Sequence, residues 1–428
     1  MKLNNHSLFI SPSSSVYIYN PMFTYNSHQY HILDFFFVIW KIKSSPKWLL
    51  FSSLSCLSLL SRVPYQLTSI ALVMFFNIIL TLSPFSCVIS GATVSNMIGV
   101  NYGRLGNNLP SPARSIEILQ DMNVSRVKLY DADHEILNLL SGKNIEVAIT
   151  ITNDEVSGIA ANQRLADQWV YEHIIAHHPN TKIRFVLVGD EVFSSLSTDQ
   201  DIQIARDLVP AIRRIKNTIK ARGIRNIKVG TPLAMDMMEM TFPPSNASFK
   251  PELREFMTPL LKYINGTKSF FFLDVYPYLA WFENQTANQT NISLDFALLR
   301  SVNETYTDPQ TGLVYTNLLD QMLDSVVYAM AKLGYDNVML AISETGWPHE
   351  GGSGANPNNA AEYNNNLVRK MTAVPSIGTP ARPGQVIPTF IFSLYDEDQK
   401  YGPATERHWG MLTHDGSPVY AVNITRMG

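Results

Sequence analysis

The chain has 428 residues, of which 46% are hydrophobic and only 16% charged, a balance that favours a packed core and excludes an intrinsically disordered protein. Its formal net charge of -3 and lack of a long Lys/Arg run exclude the electrostatic footprint of nucleic-acid binding, so we expect a neutral partner. The length fits two or three average domains, or one α/β barrel with insertions.

The first 92 residues form a segment of different composition, rich in Phe, Ser, Leu and Ile and nearly free of acidic side chains. Residues 67–89 are an almost uncharged apolar run that small residues follow, up to Ala92, which predicts a signal peptide with its cleavage site. The run is also long enough for a membrane anchor. Pro84 and the small residues favour the signal peptide, and a start at Met74 would give the run its usual N-terminal position.

The cysteines and the glycosylation sequons bear on the compartment. Cys56 and Cys87 both lie in the first 92 residues, so the chain after residue 92 cannot rely on disulfides. Chance in an Asn-rich chain explains some sequons, but their clustering and the apolar run favour a secreted, extracellular glycoprotein, with a membrane-anchored protein as the alternative. The sequons after residue 92 begin at Asn123, Asn246, Asn265, Asn284, Asn288, Asn291, Asn303 and Asn423.

From residue 98 onward, short apolar runs rich in β-formers alternate with longer helical patterns, which is typical of βαβ units and a parallel sheet. Eight runs fit a closed barrel, so we predict the α/β class and a single (β/α)8 TIM barrel over residues 93–428, as a monomer. The strand candidates begin at Ile98, Arg126, Glu146, Arg184, Asn226, Ser269, Val338 and Thr389.

Helix signals fall between these strands. Ser111 followed by Pro112 predicts a capped helix start. Two further stretches, 204–215 and 318–330, carry apolar residues at helical spacing and end near Gly223 and Gly334. Such stripes predict faces that pack on the core.

Two glutamates directly follow hydrophobic strands. Glu191 ends the fourth predicted strand and Glu344 the seventh, and the active sites of such barrels lie at the carboxyl ends of their strands. Two opposed carboxylates suit glycoside hydrolysis, and a separation of about 5 to 5.5 Å gives retention of configuration. The alternative is that each is a solvated loop residue.

Several motifs together carry a family resemblance: IGVNYGRLGNNLPSP, VKLYDAD, VGDE, FPPS, DVYPY, SETGWP and DEDQKYGPATERHWG. With them, residues 98 to about 422 resemble the plant β-1,3-glucanases of glycoside hydrolase family 17. The resemblance implies a barrel with Glu191 as acid/base and Glu344 as nucleophile. It also implies retaining endo-hydrolysis of β-1,3-glucan, either callose-like or from fungal walls.

The resemblance further implies that Tyr130 and Tyr276 are site residues. A tyrosine hydroxyl can position a carboxylate and keep it ionised, although either ring is equally interpretable as strand packing. Trp347 is predicted to stack on a sugar face, as more weakly are Tyr278, Trp281 and Phe282, the alternative being simple packing.

The resemblance places Glu397, Lys400 and Glu406 as a charged cluster behind the catalytic pair. Lys400 there would offset the charge of neighbouring acids and restrain their pKa values. The alternative is a surface ion-pair network of little energetic worth.

The sequence departs from the family pattern where acids replace the usual amides, at Asp190, Asp274, Asp396 and Asp398. An ionised Asp190 would raise the pKa of Glu191, which helps a proton donor. An ionised carboxylate accepts hydrogen bonds but donates none, so contacts to sugar hydroxyls would change.

Three functional hypotheses remain: a β-1,3-glucanase, a glucan transglycosylase with the same residues, and a weakly catalytic glucan-binding wall protein. None requires a metal or an organic cofactor, and none is expected. His134 and the adjacent His177 and His178 are predicted to be structural or solvent-facing, since neighbouring positions do not place two rings on one helix face.

Overall fold

The computed structural model describes residues 98–287, 292–300 and 304–424, together with four short strands in the first fifty residues. The chain divides into two compact units, Met1–Ala92 and Thr93–Gly428. In the first unit the four strands form an antiparallel sheet in chain order. They are His6–Ser11, Ser14–Tyr19, Phe37–Ile42 and Leu49–Leu50.

Several predictions fall outside the described residues. They concern the apolar run 67–89, both cysteines, and the sequons at Asn288, Asn291 and Asn303. Among the described residues, no helix has the length and apolar character needed to cross a membrane.

The second unit is a closed parallel barrel. Each strand pairs in parallel with its chain neighbours, and β8 returns to pair with β1. The fifth strand is split at Thr231, and its halves pair with β4 and β6 respectively. Within the described residues the strands of the barrel are β1 (Ile98–Tyr102), β2 (Arg126–Leu129), β3 (Glu146–Ile151), β4 (Lys182–Val188), β5 (Lys228–Gly230 and Pro232–Ala234), β6 (Phe270–Asp274), β7 (Met339–Thr345) and β8 (Thr389–Ile391). Three two-stranded antiparallel sheets lie outside the barrel: Met238–Met240 with Ser248–Phe249, Tyr306–Thr307 with Val314–Tyr315, and Gly378–Thr379 with Arg382–Pro383. The predicted eight strands and the TIM barrel are confirmed.

Helices follow the strands, and the predicted ones are present. Ser111 caps the first helix by accepting a hydrogen bond from the backbone N–H of Arg114 at 3.3 Å. The stripes in 204–215 and 318–330 lie in α5 and α9 and are largely buried. The described α-helices are α1 (Pro112–Asp121), α2 (His134–Leu139), α3 (Asn153–Ala161), α4 (Gln163–Val170), α5 (Asp199–Ala221), α6 (Arg254–Thr267), α7 (Pro277–Thr286), α8 (Leu294–Ala297), α9 (Leu318–Lys332) and α10 (Pro357–Met371).

Aromatic side chains fill the lower barrel interior, below the site. The Phe185 ring meets the rings of Phe272 and Phe390 edge to face, with ring centroids 5.5 and 6.2 Å apart respectively. Their rings fit because β1 and β5 carry glycine opposite them. A Cβ at Gly99 would lie 2.4 Å from the Phe390 ring, and one at Gly230 would lie 2.7 Å from the Phe272 ring.

Gly99→Ala is expected to destabilise the barrel, because the new methyl group overlaps the Phe390 ring and approaches within 2.9 Å of Cβ of Arg126. Overpacking of this kind costs about 1–3 kcal/mol, measurable as a lower free energy of unfolding. The matched control is Gly266→Ala in α6, where a Cβ meets no atom within 4 Å and stability should stay equal or rise. Equal stability of the two variants would contradict this packing account.

Candidate active site

A cleft of about 1160 Å³ opens at the carboxyl ends of the barrel strands. It brings together most of the side chains that the sequence indicated, from the ends of β2, β4, β6 and β7 and from the segment after β8. The predicted site residues that line it are Tyr130, Asp190, Glu191, Asp274, Tyr276, Glu344, Lys400 and Glu406.

Glu344 reaches the cleft through an irregularity in β7. Ala341 faces the barrel interior while Leu340 and Ile342 face the surrounding helices, so strict alternation would turn residue 344 outward. The pairing register shifts on both sides of Ser343, toward β6 and toward β8. An extra residue of this kind redirects the following side chain. The carboxylate of Glu344 is thereby placed inside the barrel mouth.

Both oxygens of Glu344 accept short hydrogen bonds. Oε1 accepts from Lys128 Nζ and from the Tyr130 hydroxyl, each at 2.6 Å, and Oε2 accepts from the Tyr276 hydroxyl at 2.5 Å. Burial opposes the charge of Glu344, but the Lys128 ammonium and these hydrogen bonds outweigh it and lower the pKa of Glu344. Glu344 is therefore ionised at neutral pH. The hydroxyls of Tyr130 and Tyr276, which the sequence indicated as site residues, hold its carboxylate in place.

Sequence reasoning missed Lys128, which is fully buried in β2. Its signal was present in VKLYDAD, where a single charge stands inside an apolar strand two positions before Tyr130, on the same face. A lysine buried in this way requires an ionised partner. Asn101 was missed as well; its side-chain amide donates to the Tyr130 hydroxyl and to the backbone oxygen of Ser343, both at 3.1 Å.

Glu191 lies in the turn after β4 with a left-handed backbone, φ +49°. Two backbone-directed contacts shape this turn: the Asn153 side chain accepts from the backbone N–H of Asp190 at 2.8 Å and donates to its carbonyl at 3.0 Å. Burial raises the pKa of Glu191 to about 8, with further contributions from Glu344 and Asp190. Glu191 thus carries a proton at neutral pH, whereas Glu344 does not.

Two of the acids that replace the family's usual amides, Asp190 and Asp274, lie in the same cluster as Glu344. Asp190 lies 3.5 Å from Lys128 Nζ, and burial raises its pKa although Lys128 opposes this. Asp274 is buried at the end of β6 and accepts from the Ser343 hydroxyl at 2.5 Å. Burial, with Glu344 adding to it, holds the pKa of Asp274 well above its usual range. A protonated Asp274 has one hydrogen to donate, so it resembles the amide that it replaces more closely than an ionised acid would.

The charged cluster is only partly at the surface. Glu397 is buried, accepts from the backbone N–H of Leu105 at 2.9 Å, and pairs with Lys400 at 3.3 Å. Lys400 and Glu406 line the cleft. Burial raises the pKa of Glu406, and the charge of Lys400 offsets only part of this rise. Lys400 Nζ also stands 4.2 Å from the ring centroid of Phe392. The surface-network alternative therefore does not describe Glu397.

The predicted sugar stacking of Trp347 is wrong. Trp347 is 0% exposed, donates from its ring nitrogen to the carbonyl of Gly354 at 2.9 Å, and packs against Tyr278 and Tyr363. Tyr278 and Trp281 are buried as well, so the packing alternative holds for these rings. The SETGWP motif did not reveal which way the ring of Trp347 points. Trp409, and not Trp347, is among the residues that line the cleft.

The other two substituted acids lie away from the cleft lining. Asp398 accepts a hydrogen bond from the backbone N–H of Asn107 at 2.6 Å. Asp396 is buried and pairs with His349 at 2.9 Å. Neither is among the cleft residues, so their influence on a substrate is indirect.

Comparison with known proteins decides the family. Residues 98–424 match the glycosyl hydrolases family 17. The chain belongs to glycoside hydrolase family 17. This member is 55% identical over 336 residues to the probable glucan endo-1,3-β-glucosidase A6 of Arabidopsis thaliana, covering 78% of this chain and 68% of that relative. It is 32% identical over 357 residues to glucan endo-1,3-β-glucosidase 13 of the same plant, covering 82% and 67%.

Solved structures agree with this family 17 assignment. A β-1,3-glucanase and allergen of Cryptomeria japonica pollen superposes with a TM-score of 0.71 at 35% identity, over 77% of this chain and 99% of that one. One of two plant β-glucan endohydrolases with distinct substrate specificities gives a TM-score of 0.69 at 32% identity, over 76% and 99%.

Lys128→Met is expected to lower the stability of the protein by about 3–5 kcal/mol at pH 7, because it leaves the buried Glu344 carboxylate without a counter-charge. In the native chain, the lowered pKa of Glu344 stabilises the fold above its unfolded pKa and this contribution is lost as pH falls. The deficit of the variant should therefore shrink as pH falls below 4.5, the ordinary pKa of a glutamate, because the native chain then loses the contribution of the ionised Glu344. Thermal unfolding at several pH values measures both effects.

The control is Lys182→Met, which removes a lysine whose Nζ donates to the exposed Asn144 side chain at 2.6 Å. It should unfold close to the unmodified chain at every pH. A stability deficit of Lys128→Met that does not change with pH would contradict the coupling to Glu344.

Proposed function

We propose that this family 17 protein is an endo-β-1,3-glucanase that acts by double displacement with retention of configuration. The observation that carries the proposal is the opposite tuning of two glutamates in one cleft: the pKa of Glu191 is raised to about 8 and that of Glu344 is lowered. Carboxyl groups whose environments separate their pKa values in this way suit a proton donor and a nucleophile.

In the first step, protonated Glu191 donates its proton to the glycosidic oxygen as the bond to the anomeric carbon breaks. Ionised Glu344 attacks that carbon and forms a glycosyl ester. The Tyr130 and Tyr276 hydroxyls, which hydrogen-bond the two oxygens of Glu344, fix the direction of attack.

In the second step, Glu191, now ionised, accepts a proton from a water molecule that attacks the anomeric carbon. The ester bond breaks, Glu344 leaves as a carboxylate, and the product keeps its β configuration. Lys128 stabilises the returning charge on Glu344 from 2.6 Å.

The substrate class rests on the relatives and on the chemistry of the cleft. The two Arabidopsis relatives are named as glucan endo-1,3-β-glucosidases, one of them as a probable one. Exposed Phe242 and its neighbour Tyr306, with ring centroids 4.7 Å apart, add an aromatic surface to the cleft of about 1160 Å³. Such a surface suits the apolar faces of a neutral glucan, either callose-like or from a fungal wall.

The compartment belongs to the same proposal. The apolar run 67–89 would act as a signal peptide and direct the protein to the extracellular space or cell wall. In the described part of the chain, the sequon asparagines Asn123, Asn246 and Asn423 are exposed, as acceptors of N-glycans must be. The sequon asparagines Asn265 and Asn284 are half-buried.

Glu344→Gln in the full chain should abolish reducing-sugar release from a linear β-1,3-glucan, because an amide cannot form the glycosyl ester. Glu191→Gln should lower kcat by roughly 10²–10⁴-fold on the polysaccharide, the usual range for general acid catalysis. The control is Glu239→Gln at an exposed position, which should keep full activity. Proton NMR of the first products should show the β anomer.

Two results would contradict the proposal. Release of the α anomer first would exclude double displacement. An unmodified chain that binds the glucan but releases no sugar would instead indicate a glucan-binding wall protein.

The pH profile tests the tuning of Glu191. Activity requires Glu191 to be protonated, so kcat/KM should fall as pH rises through its pKa of about 8. Asp190→Asn removes a neighbouring negative charge that raises this pKa, so the alkaline limb should move to lower pH. Asp398→Asn, which changes an acid outside the cleft lining, is the control and should leave the limb in place. A limb that shifts equally in both variants would refute the assigned role of Asp190.

A further inference from the structure

The loop after β7 and the segment after β8 bring together a cluster of side chains that can bind a metal ion. His349, Glu350 and His408 each offer one ligand atom, and the three atoms lie within 4.8 Å of one another. The two imidazole rings stand at 72° with centroids 5.3 Å apart. The backbone N–H of His349 donates to the carbonyl of His408 at 2.8 Å, so the backbone already holds the two segments together.

Asp396 determines how His349 presents its ring. Both carboxylate oxygens lie 2.9 to 3.0 Å from Nε2 of His349, and Oδ1 also accepts from the backbone N–H of Gly410 at 2.8 Å. Because a carboxylate accepts hydrogen bonds, Nε2 is the nitrogen that donates to Asp396, which leaves Nδ1 as the ring nitrogen available to a metal ion. A carboxylate that holds the far nitrogen of an imidazole is the usual outer partner of a metal-binding histidine.

His408 supplies an independent indication. Its Nδ1 atom is buried and has no hydrogen-bond partner among the described residues, and its nearest charged group is Asp396 at 3.9 Å. A buried polar nitrogen without a partner is costly. A cation shared with His349 and Glu350 would satisfy it.

We propose that His349, Glu350 and His408 form a Zn²⁺ site, with Asp396 orienting His349. Two imidazoles and one carboxylate match zinc, whereas Ca²⁺ and Mg²⁺ prefer oxygen ligands throughout. Water completes a tetrahedral shell. The ion would clamp the loop after β7 to the segment after β8 and fix the position of Trp409, which follows His408 and lines the cleft.

The carboxyl groups of the cleft offer a competing location. Asp190, Asp274 and Glu344 also present atoms within 4.8 Å of one another. There, however, the Lys128 ammonium already lies 2.6 Å from Glu344 and 3.5 Å from Asp190, so the positive charge is supplied by the protein. Oxygen ligands alone also suit zinc less well than imidazoles do.

The test is a calorimetric titration of the chelator-treated full chain with ZnCl₂, followed by thermal unfolding with and without the ion. We expect one zinc per chain and a rise of a few degrees in Tm at zinc concentrations far above Kd. His408→Ala and Glu350→Gln should each abolish most of the binding. Asp396→Asn should weaken it by about 10–100-fold, the usual effect of losing an outer partner.

His414→Ala and Glu344→Gln serve as controls, and both should bind zinc as the unmodified chain does. The proposal is overturned if the unmodified chain shows no saturable binding, or if His408→Ala and Glu350→Gln bind normally. Loss of binding in Glu344→Gln alone would assign the ion to the cleft and also overturn it. No readout depends on hydrolysis, so failure of the glucanase proposal would leave this result unaffected.

Discussion

The candidate site depends on one buried cation. Lys128 enters the barrel mouth from β2 with no exposure to solvent and contacts Glu344 and Asp190 directly. Without it, the carboxyl groups of Asp190, Glu191, Asp274 and Glu344 would meet in a desolvated space with no cation in direct contact among the described residues. Since burial disfavours every one of these charges, the ammonium decides which carboxyl stays ionised, and its 2.6 Å contact assigns the charge to Glu344.

The difference between the two glutamates then follows from distance to that cation and from backbone shape. The irregular register of β7 directs Glu344 onto Lys128, Tyr130 and Tyr276, which together stabilise its anion. Glu191 sits on a left-handed turn and receives no such hydrogen bonds among the described contacts, so burial and the neighbouring negative charges raise its pKa. The charge of Lys128, which contacts Glu344 directly, thus contributes to a lowered pKa for Glu344 beside the raised pKa of Glu191, although the two side chains are chemically identical.

The sequence predicted the barrel and the two strand-end glutamates because both follow from local patterns, namely apolar runs and the residues that end them. It did not predict the contacts of Lys128, because one charge inside an apolar strand does not show which distant carboxylate neutralises it. The redirection of Glu344 was equally hidden, since the register shift at Ser343 arises from pairing with β6 and β8. For Trp347, a familiar motif gave the residue but not its direction, which tertiary packing against Tyr363 determines.

The exchanged acids show how a site tolerates a change of charge. Asp190 stands near Lys128, and Asp396 is paired with His349, so each has a compensating partner at hand. Asp274 has no hydrogen-bond donor on Oδ2 and a strongly raised pKa, so it is compensated by a proton instead. Asp398 is less buried and accepts from a backbone N–H, which needs no counter-ion. Within the cleft, burial raises the pKa of both Asp190 and Asp274, and the Lys128 charge opposes both shifts. A proton on Asp274 removes one of the negative charges that the sequence alone suggests for the cleft, which leaves the opposition between Glu191 and Glu344 intact.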